Sequence, residues 1–152
     1  MAAKTGVYPV FENKFKVGIK GRASSSASDM VPIAEMESFQ VSIDGNVVEW
    51  SPMEAAGWVR RMVTGKALTL TLSGKRCIGD KGNDYLANSA WATGTDCDSK
   101  FEWELPSGAK LAFDCVLSVK NPGGGESRDG APLEVEILSD GKPNFTPASL
   151  PA

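Results

Sequence analysis

The stretch Phe101-Glu102-Trp103-Glu104-Leu105-Pro106-Ser107-Gly108-Ala109-Lys110-Leu111-Ala112-Phe113-Asp114-Cys115-Val116-Leu117-Ser118-Val119 decides the fold class of this 152-residue chain. Phe101, Trp103 and Leu105 alternate with Glu102 and Glu104, Pro106-Ser107-Gly108 supplies a turn, and Leu111, Phe113, Cys115, Leu117 and Val119 then recur at every second position. A period of two places one apolar face on each strand, so this is a β-hairpin with a buried side and a wet side. The same rhythm recurs outward in both directions: Phe15, Val17, Ile19; Phe39, Val41, Ile43; Leu68, Leu70, Leu72; and Leu133, Val135, Ile137. Asp44-Gly45-Asn46 predicts a turn into a further strand ending at Trp50, and Ser139-Asp140-Gly141 predicts another turn. Six or seven short antiparallel strands predict a mainly β sandwich or barrel.

Two segments break the alternation and predict short flanking helices. Ser51-Pro52-Met53-Glu54 reads as a capped start, after which Ala55, Trp58, Val59, Met62 and Val63 share a helical face up to Gly65. Asn83 or Asp84 is positioned to cap a second helix with Leu86, Ala87, Ala90 and Trp91 on one face and Gly94 as its stop. The expected organisation is an N-terminal arm at 1–13, one β domain at 14–145 with flexible loops at 21–29 and 121–130, and a C-terminal tail at 146–152.

Composition narrows the chemistry. The chain has no histidine, which removes the commonest general base and a common metal ligand together. Three widely spaced cysteines form no CxxC pair and no complete disulfide framework, which predicts reduced thiols. With 16 Lys and Arg against 19 Asp and Glu, the net charge of -3 disfavours an adhesive nucleic-acid surface. The N-terminus carries no signal-peptide pattern and no run reaches membrane-spanning length.

No arrangement makes a credible active site. Glu102/Glu104 and Glu134/Glu136 could be posed as a glycosidase pair, but alternation places them on wet sheet faces. Asp80 to Asp84 lacks the spaced ligands of a calcium loop, and Gly123-Gly124-Gly125 lacks the Lys-Ser/Thr of a phosphate loop. Arg60 and Arg61 are expected on the polar side of the first helix, as a solvated face or a subunit contact. A bacterial β-sandwich module binding carbohydrate or a cell-surface partner through Trp50 or loop residues is the main competing reading.

The order Gly57-Trp58-Val59-Arg60-Arg61-Met62-Val63-Thr64-Gly65-Lys66, strand 67–72, Ser73-Gly74-Lys75-Arg76, then Gly79-Asp80-Lys81-Gly82-Asn83-Asp84-Tyr85 resembles the major tail tube proteins of long, non-contractile tailed bacteriophages. The resemblance runs on through Phe101 to Trp103, Phe113-Asp114 and 133–137, from about Tyr8 to Phe145. It implies a non-enzymatic virion protein, without cofactor or metal, made in the host cytoplasm and assembled as stacked hexameric rings. Implied partners are other copies of itself, the tape measure protein, tail tip and tail terminator proteins, and double-stranded DNA passing through without stable binding. No membrane is implied, and the chain length leaves no room for the extra C-terminal immunoglobulin-like domain of some members. On this reading Glu102, Glu104, Glu134, Glu136, Thr69 and Thr71 are candidates for the lumen lining. Arg22, Ser24, Ser25, Ser26, Asp29, Glu126 and Arg128 are candidates for ring stacking, and Arg60 and Arg61 for subunit contacts.

Overall fold

A computed structural model describes residues 6–24, 26 and 28–147. Eight strands among these residues are β1 (Lys14–Gly18), β2 (Met30–Pro32), β3 (Met36–Trp50), β4 (Arg60–Lys75), β5 (Asp98–Glu104), β6 (Lys110–Asn121), β7 (Pro132–Ser139) and β8 (Asn144–Thr146). One helix, α1 (Lys81–Asn88), separates β4 from β5. All pairings are antiparallel, in the order β2-β1-β5-β6-β7-β4-β3, with β8 added to β6 beyond the end of β7. The expected mainly β antiparallel architecture is present, with a single flanking α-helix.

Register explains the core. Val17 lies opposite Phe101 and Phe101 opposite Phe113, while Leu70 lies opposite Ile137 and Ile137 opposite Leu117. Every one of these side chains is buried, so one face of each strand feeds a common interior. The sheet folds over until its first and last parts meet, with the rings of Phe15 in β1 and Phe39 in β3 packed edge to face. Phe39 also meets Trp103 of β5 edge to face at 5.4 Å, which makes a sandwich from one continuous sheet.

Helix α1 packs against β1, β2 and β6 and buries Leu86 and Ala87 in the core. Its cap is Asp80, not Asn83 or Asp84, because the Asp80 carboxylate accepts from the Asn83 N–H at 3.0 Å. Asn83 is wholly buried and does a different job. Its Oδ1 accepts from the Cys77 N–H and from Arg76, and its Nδ2 donates to the carbonyls of Ala34 and Lys75. Gly82 permits this approach, since a Cβ there would collide with the Pro32 carbonyl. The helix ends at Asn88 and passes into a 3-10 turn, Ser89–Trp91, whose tighter winding swings Trp91 out to 80% exposure. Gly94 begins a further 3-10 turn, so it is not the helix stop.

Two expectations fail in residues 44–65. Asp44-Gly45-Asn46 makes no turn: β3 runs straight through it, paired with Ala67, Lys66 and Gly65. Gly45 does not adopt the positive φ that a tight hairpin turn needs. The chain reverses instead between Trp50 and Arg60, where Pro52 cannot donate to a ladder and Ala56 and Gly57 both have positive φ. The predicted helix is reduced to one 3-10 turn, Met53–Ala55, with no side-chain cap, because left-handed Ala56 stops it. Met62 and Val63 then lie in β4 on opposite faces of the ribbon, with Val59 just before the strand, and their flexible and β-branched side chains fit that extended conformation.

Candidate functional site

The sheet register brings all six lumen candidates onto one face, the one turned away from the core. Thr69 and Thr71 alternate with buried Leu68, Leu70 and Leu72, and Glu134 and Glu136 with buried Leu133, Val135 and Ile137. Across this face Gln40 pairs with Thr71, Thr71 with Glu136 and Glu136 with Ser118. Glu102 lies opposite Lys16 and Glu104 opposite Lys14. Ion pairs join Lys110 to Glu102 and Lys120 to Glu136, both at 3.6 Å. The face is thus uncharged around Gln40, Ser42, Thr69, Thr71 and Ser73, with Asp44 and Lys75 beyond them, and its lysines meet glutamates along β1, β5 and β6.

The stacking candidates fall in two places. Around residues 21–29 the chain is tied to the sheet. Arg22 contacts Asp140 at 2.6 Å, the Cys115 carbonyl at 3.3 Å and Asp98 at 3.8 Å. Burial works against its charge, but the Asp140 hydrogen bond and the carboxylates of Asp98 and Asp114 prevail, and its pKa is raised. Ser24 is buried and accepts from the Lys20 N–H, while the nearly buried Asp29 carboxylate meets the Lys20 ammonium at 3.3 Å. Ser26 remains exposed, hydrogen-bonded to Ser28 at 2.9 Å. Ser25 lies outside the described residues. Glu126 and Arg128 are exposed in the loop between β6 and β7, which Asn121 orders by accepting from the N–H groups of Gly123 and Gly124.

Arg60 and Arg61 do not sit on a helix. They lie on β4, with Arg61 bound to Glu49 at 2.8 Å and the Arg60 guanidinium 5.5 Å above the Trp50 ring. Cys77, Cys97 and Cys115 are free thiols, and burial pushes Cys115 up to about 12.

The feature that residue-by-residue reading misses is a long two-stranded arm. Strand β7 pairs with β4 only over Thr69 to Lys75, so, among the described residues, positions 60–68 of β4 have no ladder partner except β3. Beyond Ile43 and Leu68 the ribbon projects by about 20 Å, seven residues at the usual strand rise. Val47, Val48, Trp50, Trp58, Met62 and Val63 are exposed on it. At its root an apolar mouth of about 610 Å³ opens into the sandwich, lined by Val41, Ile43, Leu68, Trp103, Leu111 and Pro143, with Lys66 and Lys142 also in its wall. The loop carrying Glu126 and Arg128 lies at the opposite end of the sheet, beside the Lys75 end of β4. One signal in the sequence marks the arm: β-branched and aromatic residues continue past Gly45 at Val47, Val48 and Trp50 and recur before Gly65 at Val59 and Val63, with Pro52 and Gly57 between the halves.

No family model matches the chain, and no curated protein matches it. Solved structures do. A chain from the tail of an empty GTA particle, computed with helical refinement in C6 symmetry, superposes with a TM-score of 0.72 at 15% identity, covering 93% of this chain and 100% of that one. A chain from the virion of a native gene transfer agent particle gives 0.68 at 18% identity, again over 93% and 100%. A chain from the cap of the anti-feeding prophage, described as its tube terminating cap, gives 0.59 at 16% identity over 97% and 96%. The likeness spans nearly the whole of every chain compared, and it is a likeness of fold.

Proposed function

We propose that this protein is a tail tube subunit, a virion structural protein whose copies close into hexameric rings and stack into the conduit through which DNA is ejected into a host. The observation that carries this reading is the polarity of the molecule: an apolar arm leaves one end, and an exposed polar loop occupies the other. Head-to-tail contact between unlike ends repeats without limit, as a tube requires. The 15-residue outer edge of β3 has no ladder partner among the described residues, and a closed ring of subunits is one way to use such an edge without aggregation.

The fold neighbours support the same reading, since they come from a tail, a virion and a tube cap. The polar face with Thr69, Thr71, Glu134 and Glu136 suits a lumen that DNA crosses without sticking, because its lysines are matched by glutamates. The tape measure protein would occupy that lumen during assembly, and tail tip and terminator proteins would close its ends.

Negative-stain electron microscopy of the purified chain at rising concentration tests the proposal. Rings or tubes are expected. A chain that stays monomeric at high concentration, even when nucleated by tail-tip components, would refute it.

A further inference from the structure

The apolar mouth beside Leu68 is built from core-facing residues that the core itself leaves wet. Val41 lies opposite Leu70 and Ile43 opposite Leu68, so both belong to the inner side of β3. Leu68 and Leu70 are buried, yet Val41 and Ile43 are 40% and 63% exposed. The two halves of the folded sheet part here, and Trp103 and Leu111, paired across β5 and β6, complete the wall of a gap of about 610 Å³. That volume falls within the roughly 300–1,000 Å³ typical of small-molecule sites. The polar groups in the wall are already occupied: the Ser139 hydroxyl accepts from the Leu68 N–H at 3.2 Å, and the Trp103 indole N–H donates to Asn13 at 2.9 Å. The interior therefore offers apolar contact and needs no polar partner.

Charge is confined to the rim. Lys66 stands two residues before Leu68 on the same side of β4, where the core rhythm would place an apolar residue, and Lys142 follows Gly141 in the turn between β7 and β8. Both are exposed, and among the described residues neither makes an ion pair, whereas Lys20, Lys75, Lys110 and Lys120 each meet a carboxylate. The acids adjoining the two lysines in ladder and turn are not available to them. Asp44 lies opposite Ala67 on the other face of the ribbon, and Asp140 is held by Arg22 at 2.6 Å. We infer that this mouth binds a single-chain anionic amphiphile, a fatty acid whose hydrocarbon tail enters between Ile43 and Trp103 while Lys66 and Lys142 hold its carboxylate. An apolar cleft with two unanswered cations at its entrance matches that ligand in both polarity and sign, and disfavours a cationic chain of equal length. The site lies within one chain, so it stands apart from the tube reading.

Isothermal titration calorimetry of the full chain with dodecanoate, kept below its micelle-forming concentration, tests this. Saturable one-to-one binding is expected, with dodecyltrimethylammonium weaker by about tenfold or more. Lys66→Gln/Lys142→Gln removes two exposed charge contacts and should weaken dodecanoate about tenfold. Ile43→Glu sets a carboxylate in the cleft and should abolish binding, while the exposure of that residue leaves the melting temperature unchanged. No heat of binding, equal affinity for the cationic chain, or full affinity in the lysine double variant would each overturn the proposal. Binding that begins only once micelles form would overturn it too, by marking a general apolar surface. A parent chain found as a dimer that Ile43→Glu dissociates, with no uptake of dodecanoate, would identify a second copy as the occupant and sink the fatty-acid site. A chain that binds dodecanoate with this selectivity yet never forms rings would leave the site standing and refute the tube.

Discussion

Phe15 and Phe39 meet edge to face with ring centroids 4.8 Å apart, although β3 ends the sheet order on one side and β1 is second from the end on the other. No ladder joins β1 to β3, so this contact, extended by Trp103, holds the seam of the folded sheet. Phe39→Ala removes the ring shared by both neighbours. It is expected to destabilise the chain by about 3 kcal/mol, the low end for a phenylalanine in a partly covered site. Urea denaturation followed by tryptophan fluorescence checks this, and a loss below about 1 kcal/mol would mean the seam is held elsewhere.

Asn83 is the second point of closure. It is fully buried, and its amide satisfies groups from three segments: the end of β4, the turn between β2 and β3 through Ala34, and the Cys77 turn. Asn83→Ala leaves the Ala34 and Lys75 carbonyls and the Cys77 N–H without this partner. A cost of about 3 kcal/mol is expected, from several buried groups at 1–3 kcal/mol each with partial rescue by water. Asn83→Asp should fail nearly as badly, because a carboxylate cannot donate to the two carbonyls. Denaturation midpoints of both variants decide it.

Asp84 gives the acid limb of stability a definite source. Its hydrogen bond from Arg76 at 2.7 Å, aided by the Gly79 N–H, holds its carboxyl below the ordinary value. A folded pKa below the unfolded one means the unfolded state takes up protons first as pH falls. The stabilisation is complete above the unfolded pKa near 4 and disappears as pH drops through the folded value. Denaturation midpoints of Asp84→Asn should therefore depend less on pH than those of the parent between about pH 5 and pH 2. Parallel pH profiles would show that the pair carries no such linkage.

Strands whose two faces differ in environment are legible in sequence, because burial writes the period of two into them: 101–104, 111–119, 133–137 and 68–72 all form as the alternation predicts. Legibility ends where the environment stops being two-sided. In the arm neither face is buried within the chain, so Val59, Met62 and Val63 fit a helical spacing as well as a strand, and Gly45 mimics a turn. Long-range pairing with β3 decides the matter, and it is invisible to any local window. The same holds for the site. Which residues share the outer face follows from alternation, whereas the seating of Arg22 against Asp140, 118 residues away, depends on the folded sheet.

Ala56 carries the cost of the arm's turn. With φ at 51° it occupies a left-handed conformation that disfavours a side chain by roughly 1 kcal/mol. Ala56→Gly should relieve that strain without touching the core, because the residue lies at the arm tip. Hydrogen exchange of the arm amides is expected to slow about fivefold while core amides remain unchanged, as for a locally opening unit. Equal slowing everywhere would mean that the arm opens only with the whole domain.

The final prediction concerns passage through the proposed lumen. Thr69 and Thr71 lie on the uncharged part of the polar face, beside Gln40 and Ser42, where no lysine is available to DNA. Their substitution in Thr69→Lys/Thr71→Lys adds two cations per subunit, the one at 69 opposite Leu138 and the one at 71 opposite Glu136, and a ring repeats them around its circumference. Each neutralised phosphate releases counterions, so binding should strengthen steeply as salt falls, with a slope set by the number of contacts. Variant tubes are expected to retain short duplex DNA at low salt and release it at high salt, while parent tubes retain little at either. Because strand alternation turns both side chains away from the core, the monomer should fold normally, and a change in retention then reports on where that face looks. Variant tubes that ignore DNA at every salt concentration would place Thr69 and Thr71 outside the lumen.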